Sequence, residues 1–429
     1  MINDQWIKTR EKDKKSSQSQ TLISRQALFV LCCQRFVFLL RKTIISQKYF
    51  WFIVSIFKEH NPSKSRKLVR ELARVQRDFI GVVHRIKFWW LQRRYDNQWP
   101  AQLLLTDGTQ PPSSKIAVLA MYQPGGLRAS TLETCDHLAD CGYTVVAVSN
   151  TPLNEADRNT LAHQVYKICE RPNYGYDAGA YRDGVWLLRR EGLKPDSLIL
   201  INDSILFPLQ KKTDAISRLE AKNDTLGGLV RKTRYKADLK VGGETTGFIE
   251  AYFYHANLRD PDIRSLWETF WDQLRLTSGR AYLKEGRVSE FFDHANQPLN
   301  TLSSRNSFLQ SVEEMNNSEL LKTLQYGAYC VPELSETNKQ LLASEPDTNW
   351  RRTALDHIRE TVSRYPFYGS FIYGSESLMQ LGFLKRTNSP LFRETRKSYL
   401  RAVDAGDLPR PSDTILSELR ELIVLHKDT

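Results

Sequence analysis

Cysteine is scarce in this chain: there are six in 429 residues, none in a CxxC pair or a Cys/His ladder with zinc spacing. The density excludes a disulfide scaffold, and the spacing excludes a structural zinc site. The six are expected as small core fillers in a reducing compartment. Long apolar runs are also missing. The two nearest, Ala27 to Leu40 and Thr43 to Phe57, are broken by Gln34-Arg35 and Gln47-Lys48. Neither reaches the roughly 18–20 residues that a spanning helix needs. No short apolar core followed by a small-residue cleavage site opens the sequence, so no secretory signal is expected. GxGxxG between a strand and its helix, a Walker lysine, GxSxG and HExxH are all absent. That removes the motifs of dinucleotide binding, P-loop chemistry, serine hydrolysis and zinc proteolysis.

What is present suffices for a sizeable core: 41% of residues are hydrophobic and 11% aromatic. The net charge of +12 is unevenly placed. Residues 1–100 hold 21 Lys+Arg against 7 Asp+Glu, a net +14, which leaves the rest of the chain at −2. A basic partner surface is therefore expected at the N-terminal end only. Residues 1–24 are polar and Ser/Gln-rich, the composition of a disordered segment. Beyond them, Phe50-Trp51-Phe52 and Phe88-Trp89-Trp90 sit among Lys and Arg, as in segments that lie in the headgroup region of an anionic leaflet. Arg66 to Arg94 reads as one long basic helix. A membrane surface contacted by residues 25–94 is the expected partner. A helical hairpin with a solvated basic face is the alternative. Nucleic acid is not expected, because no zinc finger, recognition helix or RNA-binding aromatic signature accompanies the charge.

The organisation reads as a basic helical region over 1–106, a Gly/Pro/Ser-rich linker over 107–114 (DGTQPPSS), an α/β domain over 115–348 and a helical region over 349–429. In the α/β domain, Ile116 to Tyr122 is a two-faced apolar run of strand length. Ser130 to Cys141 reads as a helix, with Ser130 as N-cap, Glu133 at the capping-box position and Gly142 as its stop. Thr144 to Ser149, Val165 to Cys169 and Leu198 to Ile201 are further strands. Apolar strands separated by helices predict a mostly parallel sheet covered on both faces. Ligands of such sheets gather at the carboxyl ends of the strands. Those ends are Tyr122-Gln123, Asn150-Thr151, the stretch Asn173 to Gly184, and Asn202-Asp203-Ser204, which together predict a cleft with carboxylates and amides. In the helical C-terminal region, Ile358, Val362 and Tyr365 form one apolar stripe. Ile415, Leu416, Leu419, Leu422 and Ile423 form another, expected to cap the domain.

The order VAVSNT, NYGYDAGAYRDG (173–184), LILINDSILFP (198–208) resembles the rhamnan-synthesis F-type glycosyltransferases of bacterial cell-wall and O-antigen polysaccharide assembly. The resemblance continues through Gly247 to Phe253, Glu285 to Ser289 and Gly382 to Arg386, and spans roughly 115–395. It implies a GT-A-like nucleotide-sugar fold. It also implies transfer, with inversion, of a deoxyhexose such as rhamnose from a nucleotide-diphosphate sugar to a lipid-linked glycan. Such an enzyme would be cytoplasmic and peripheral on the inner face of the cell membrane. A catalytically weak glycan- or lipid-binding assembly protein on the same fold is the alternative.

A transferase of this type commonly holds its donor diphosphate through Mg2+ or Mn2+. Where such enzymes carry Asp-x-Asp, this chain has Asn202-Asp203-Ser204. Asp203 is the expected metal ligand, and Asn202 and Ser204 are the neutral oxygen ligands or phosphate donors. By resemblance, Asp177 faces the donor, Asn173 lies on its base or ribose side, and Tyr122 and Asn150 line the same cleft. Gly175 and Gly179 would allow close backbone approach, and the Arg182 guanidinium suits paired phosphate oxygens. For the base that deprotonates the acceptor, the resemblance points to Glu285, with Asp293 and Glu290 on the following helix as alternatives. His255 is expected to be structural.

Overall fold

The computed structural model describes residues 86–222, 225–234, 245–276 and 287–424. The chain divides into two units, Met1–Lys87 and Phe88–Thr429. All but two residues of the first, including both apolar stretches, lie outside the described residues.

In chain order the elements are helix α1 (86–98), β1 (Leu104–Asp107), β2 (Lys115–Met121), α2 (Ala129–Asp140), β3 (Thr144–Ser149), α3 (Glu155–Ala162), β4 (Lys167–Glu170), α4 (Tyr176–Arg190), β5 (Ser197–Asn202) and β6 (Ile205–Leu206). Next come α5 (Ala215–Ala221), β7 (Leu226–Arg234), β8 (Thr245–Ile249), β9 (Phe253–Asn257), α6 (Pro261–Gln273), α7 (Arg287–His294), β10 (Leu299–Ser304), α8 (Arg305–Glu314) and α9 (Asn317–Gln325). The chain closes with α10 (Pro332–Ala343), α11 (Thr348–Arg364), α12 (Phe367–Ser370), α13 (Ile372–Met379), β11 (Leu384–Lys385), α14 (Pro390–Asp404) and α15 (Asp413–Val424).

Nine strands form one sheet in the order β1-β4-β3-β2-β5-β9-β7-β10, with β8 on β7. Strands β4, β3, β2 and β5 are mutually parallel, and Val118 pairs with both Val146 and Leu200. β9 is antiparallel to β5 and to β7, so β7 and its parallel partner β10 run in the direction of β5. The fold is thus mixed α/β with a mostly parallel central sheet. Alternate residues of β2 go to opposite cores. Ala117, Leu119 and Met121 join Cys135 and Leu138 of α2, while Ile116, Val118 and Ala120 join Tyr181 of α4 and Trp267 and Trp271 of α6. Because both faces are buried, these strands carry unbroken apolar runs.

The expected strands all form, with ends shifted by one or two residues. Strand β2 stops at Met121, and β4 begins at Lys167. Helix α2 also forms, but its N-cap is Arg128, which makes no side-chain capping bond. Ser130 lies inside the first turn and instead donates to Glu418, and Glu133 accepts from Ser412 at 2.7 Å. Tertiary partners have taken both capping side chains.

The 107–114 stretch runs alongside the sheet edge and is held there. Gly108 N–H bonds the Tyr166 carbonyl at 2.8 Å, and Gln110 accepts Val145 N–H at 3.1 Å. The break between units therefore falls after Lys87, ahead of the stretch read as a linker. The C-terminal helices share the main cores. Trp350, Ala354, Ile358 and Val362 of α11 belong to the cluster that covers one sheet face. A third cluster joins Ile415, Leu419 and Leu422 of α15 to Leu206 and Leu384, and β11 pairs antiparallel with β6. That pairing returns the C-terminal region to the end of β5.

Candidate active site at the carboxyl edge of the sheet

The parallel run places the ends of β2, β3, β4 and β5 along one edge. At its centre the Asn202 side-chain amide donates to Asp177 Oδ2 at 2.9 Å, and Asn202 Oδ1 accepts the backbone N–H and hydroxyl of Ser204 at 3.1 and 2.6 Å. Asp203 Oδ2 accepts Tyr122 N–H at 2.8 Å and the Gln123 amide at 3.1 Å, tying β5 to β2. Asp177 stands in the first turn of α4. Its side chain is open to solvent while protein surrounds it on most sides, the condition of a group lining a cleft. Burial raises the Asp177 carboxyl to about 6; the Asp203 charge adds to the rise and Lys385 opposes it.

Lys385 arrives from β11, with its Nζ 3.7 Å from the centroid of the Tyr252 ring. Arg386 fastens that strand to the site. Its backbone N–H bonds the Ser204 carbonyl at 2.8 Å, and its guanidinium donates to the Asp203 and Ile205 carbonyls at 2.8 and 2.7 Å and to Glu418 at 2.7 Å. The turn between β8 and β9 closes the other side. Tyr252 C=O accepts Asn202 N–H at 3.2 Å, and Ala251 C=O accepts the Tyr181 hydroxyl at 3.0 Å. Glu250 in that turn is buried, and its carboxylate accepts the Tyr368 hydroxyl at 2.9 Å and meets Lys232 at 3.6 Å.

Tyr122, Asp177, Asn202, Asp203 and Ser204 are thus brought together, Tyr122 through its backbone. Asn173 lies exposed in the loop between β4 and α4. Asn150 stays at this edge, its N–H on the Met121 carbonyl at 2.8 Å, but its side chain is turned into the protein; Arg182 is placed elsewhere. Asn150 is buried, and its side-chain oxygen accepts from Arg171. Arg171 in turn bonds Asp183 at 2.6 Å and the Tyr174 carbonyl at 2.5 Å, supporting the loop from beneath. Arg182 is fully buried and is held by Asp96 of α1 at 2.8 Å, with Asp183 at 3.5 Å. It points into the packing of α4 on α1, so it is no partner for a diphosphate in this cleft. The glycines also act structurally. Gly175 has φ +78°, and a Cβ on Gly179 would stand 2.1 Å from the Tyr174 carbonyl oxygen. They shape the loop and the first turn of α4; at Gly179 the close approach is to the protein's own backbone.

Glu285 lies outside the described residues. Glu290 is half-buried in the first turn of α7. Asp293 is exposed near the end of α7, where its carbonyl accepts Asn296 N–H in the turn that leads to Thr225 and the start of β7. That is the amino edge of the sheet, opposite Asp203, so Asp293 is badly placed as the base. His255 is buried at 2.9 Å from Ser197 Oγ, and burial lowers its imidazole to about 4. Lys385 and Glu250 carried no role in the sequence, although both lie in segments that supported the resemblance.

Among the described residues, no group of three or more His, Cys, Asp or Glu could hold a metal ion, and no helix is long and apolar enough to cross a membrane. Asp177 and Asp203 still fit a hard divalent cation shared with a diphosphate, for which one or two carboxylates suffice. Such a cation would relieve the repulsion from Asp203 that adds to the rise burial causes at Asp177.

Among proteins of known sequence, the uncharacterized protein y4gN of Sinorhizobium fredii (strain NBRC 101917 / NGR234) is 38% identical over 173 residues. The match covers 39% of this chain and 44% of that relative's length. Solved structures are similar at low scores, among them the following two. One is described as a nucleotide-diphospho-sugar transferase from Desulfovibrio desulfuricans G20, with TM-score 0.28, 11% identity, and coverage of 45% of this chain and 80% of that one. The other is the mannosyltransferase PcManGT from Pyrobaculum calidifontis in complex with GDP-Man and Mn2+, with TM-score 0.28, 12% identity, and coverage of 80% of this chain and 88% of that one. At such scores the fold rests on the strand order given above. Residues 145–279 match the family model Rhamnan synthesis protein F, so the segment that supplies Asp177, Asn202, Asp203 and Glu250 is the one that carries the family likeness.

Proposed function

We propose that the chain is a GT-A-like glycosyltransferase that binds a nucleotide-diphosphate sugar at Asp177, Asn202, Asp203 and Lys385. One observation carries this: at the carboxyl edge of a parallel sheet, Asp177, bonded to the Asn202 amide, feels the charges of both the Asp203 carboxylate and Lys385. Asp203 and Asp177 would hold Mg2+ or Mn2+ together with the donor. When bound, that cation neutralises charge on the diphosphate. Lys385 adds a fixed positive charge on the same side, where the leaving diphosphate gathers negative charge. Asn202 orients Asp177 and holds Ser204.

Glu250 is our candidate for the group that takes the acceptor hydroxyl proton. It is a carboxylate held by Tyr368 and Lys232, two residues from the Tyr252 ring that carries Lys385. Displacement from the face opposite the diphosphate would invert the anomeric carbon. The family match supports a rhamnose-like deoxyhexose as the sugar, and a lipid-linked glycan is the acceptor in this reading. Membrane-surface contact, on the inner face of the cell membrane, is assigned to residues 25–94. Trp89 and Trp90 support it: they are 48% and 37% exposed on α1, with Arg93 and Arg94 over their rings.

The small number of carboxylates at the site favours the alternative, an assembly protein on the same fold without turnover. Hydrolysis separates the two. The transferase releases nucleoside diphosphate from its donor slowly, in the presence of Mn2+, and Asp203→Asn stops the release. A protein that binds donor and never cleaves it is the assembly protein.

A further inference from the structure

Helix α15 reaches the carboxyl edge of the sheet through one side chain. Glu418 is buried, and its carboxylate accepts from Arg386 Nε at 2.7 Å, from Arg128 Nη1 at 2.6 Å and from the Ser130 hydroxyl. Both arginines lead to Asp203. Arg386 holds three successive carbonyls of the turn that presents Asp203. Its guanidinium donates to those of Asp203 and Ile205 at 2.8 and 2.7 Å, and its backbone N–H donates to that of Ser204 at 2.8 Å. On the other side, Arg128 N–H donates to Gln123 Oε1 at 2.9 Å, and the Gln123 amide donates to Asp203 Oδ2 at 3.1 Å. A closed ring thus runs from Asp203 through Gln123, Arg128, Glu418 and Arg386 back to Asp203. One arm ends on the Asp203 carboxylate and the other on its carbonyl. Neither arginine is bonded to that carboxylate, which keeps its charge for a cation.

The ring depends on the Glu418 charge. The Arg386 and Glu418 side chains are each 9% exposed. A guanidinium taken out of water needs a charged partner, and bonds between ionised groups are the strong ones in such a network. Without the carboxylate, the Arg386 guanidinium is better solvated by turning outwards, which frees the Asp203 and Ile205 carbonyls. Helix α15 does not need this carboxylate to dock, because Ile415, Leu419 and Leu422 already anchor it in an apolar cluster.

We propose that Glu418 is a positioning residue of the donor site: through Arg386, and through Arg128 and Gln123, it sets the direction of the Asp203 carboxylate. This rests on the donor site proposed above. A ligand to a cation must be held to within about 0.5 Å, which takes partners that lock its own neighbours.

The test compares full-length Glu418→Gln with the control Glu220→Gln. Glu220 is bonded to Lys115 at 2.8 Å and to the Tyr143 hydroxyl at 2.7 Å, at the amino ends of β2 and β3. Two quantities are read. One is the exchange rate of the Tyr122 amide hydrogen, which is bonded to Asp203 Oδ2. The other is the enhancement of nucleoside diphosphate binding by Mn2+. In Glu418→Gln, Tyr122 exchange should rise tenfold or more, and the Mn2+ enhancement should fall by roughly tenfold, the usual scale for loss of a partner that orients a metal ligand. Metal-free nucleotide affinity should stay within a few-fold. The control should leave both quantities at their wild-type values even where its thermal midpoint falls. Glu418→Asp, which keeps the charge on a shorter arm, should show the same changes in smaller measure, and it carries the test if the glutamine variant does not fold. Unchanged Tyr122 exchange, an unchanged Mn2+ enhancement, or equal changes in the control would each overturn the proposal. Faster Tyr122 exchange in Glu418→Gln, in a chain whose wild type binds no nucleoside diphosphate, would uphold the hold on Asp203 and remove the donor assignment instead.

Discussion

The Asn202 side-chain amide donates to Asp177 at 2.9 Å and so ties the end of β5 to the first turn of α4. Burial raises the Asp177 carboxyl there, the Asp203 charge adds to the rise, and the Lys385 charge opposes it. Two carboxylates held this way are costly unless a cation shares them.

Asp203→Asn is expected to lower turnover by on the order of 10²–10³, the size of loss seen when one electrostatic contact to developing charge is removed. The fold should survive, because an amide oxygen can still accept the Tyr122 and Gln123 bonds. Steady-state kinetics with saturating donor, read beside the thermal midpoint, checks this. Full turnover in the variant would remove Asp203 from the chemistry.

Lys385→Met should leave donor affinity within a few-fold while lowering kcat by roughly tenfold or more, since its charge counts most as the diphosphate departs. Glu250→Gln should lower kcat by on the order of 10²–10⁴ and keep nucleotide binding. If Glu250→Gln is active and Glu285→Gln is dead, the base is Glu285.

Arg182→Met separates donor binding from stability. Its guanidinium is fully buried against Asp96 and Asp183, and breaking such a pair from one side costs about 3–5 kcal/mol. The variant should unfold at lower denaturant, and the molecules still folded should bind nucleotide normally. A stable variant that has lost nucleotide affinity would restore Arg182 to the donor.

The fold was largely legible in the sequence, because two-faced apolar runs such as Ile116 to Tyr122 force burial on both sides and hence a covered parallel sheet. Half of the site was legible for a related reason: Asp177, Asn202 and Asp203 lie on or beside strand ends, and strand ends share an edge. What could not be read is what long-range packing decides. Arg386 meets Asp203 across 183 residues of chain, and nothing local to Leu384-Lys385 announces that it pairs with β6. The same holds for Arg182: the pattern of α4 does not reveal that α1 covers that face. Ser130 and Glu133 matched a capping box in spacing, yet Glu418 and Ser412, nearly 290 and 280 residues away, compete for those side chains and win.

His255 should make the fold sensitive to acid. Its folded-state value of about 4 lies below its ordinary 6.5, so the unfolded chain binds this proton first. The native state keeps its full stability from this group above pH 6.5. It loses on the order of 1.4 kcal/mol per pH unit as pH falls from there towards 4. Denaturant melts of wild type and His255→Gln across that window test this: the variant's stability should depend less steeply on pH by about that slope. Parallel slopes would place the acid sensitivity elsewhere.

The most direct measurement of the central claim is calorimetric titration of the full-length chain with a panel of nucleoside diphosphates, with and without Mn2+, alongside Asp203→Asn. At least one nucleotide should bind, more tightly with Mn2+, and the Mn2+ enhancement should vanish in Asp203→Asn while the variant stays folded. If no nucleotide binds, or if the enhancement persists without the Asp203 carboxylate, the carboxyl edge of this sheet is not a donor site.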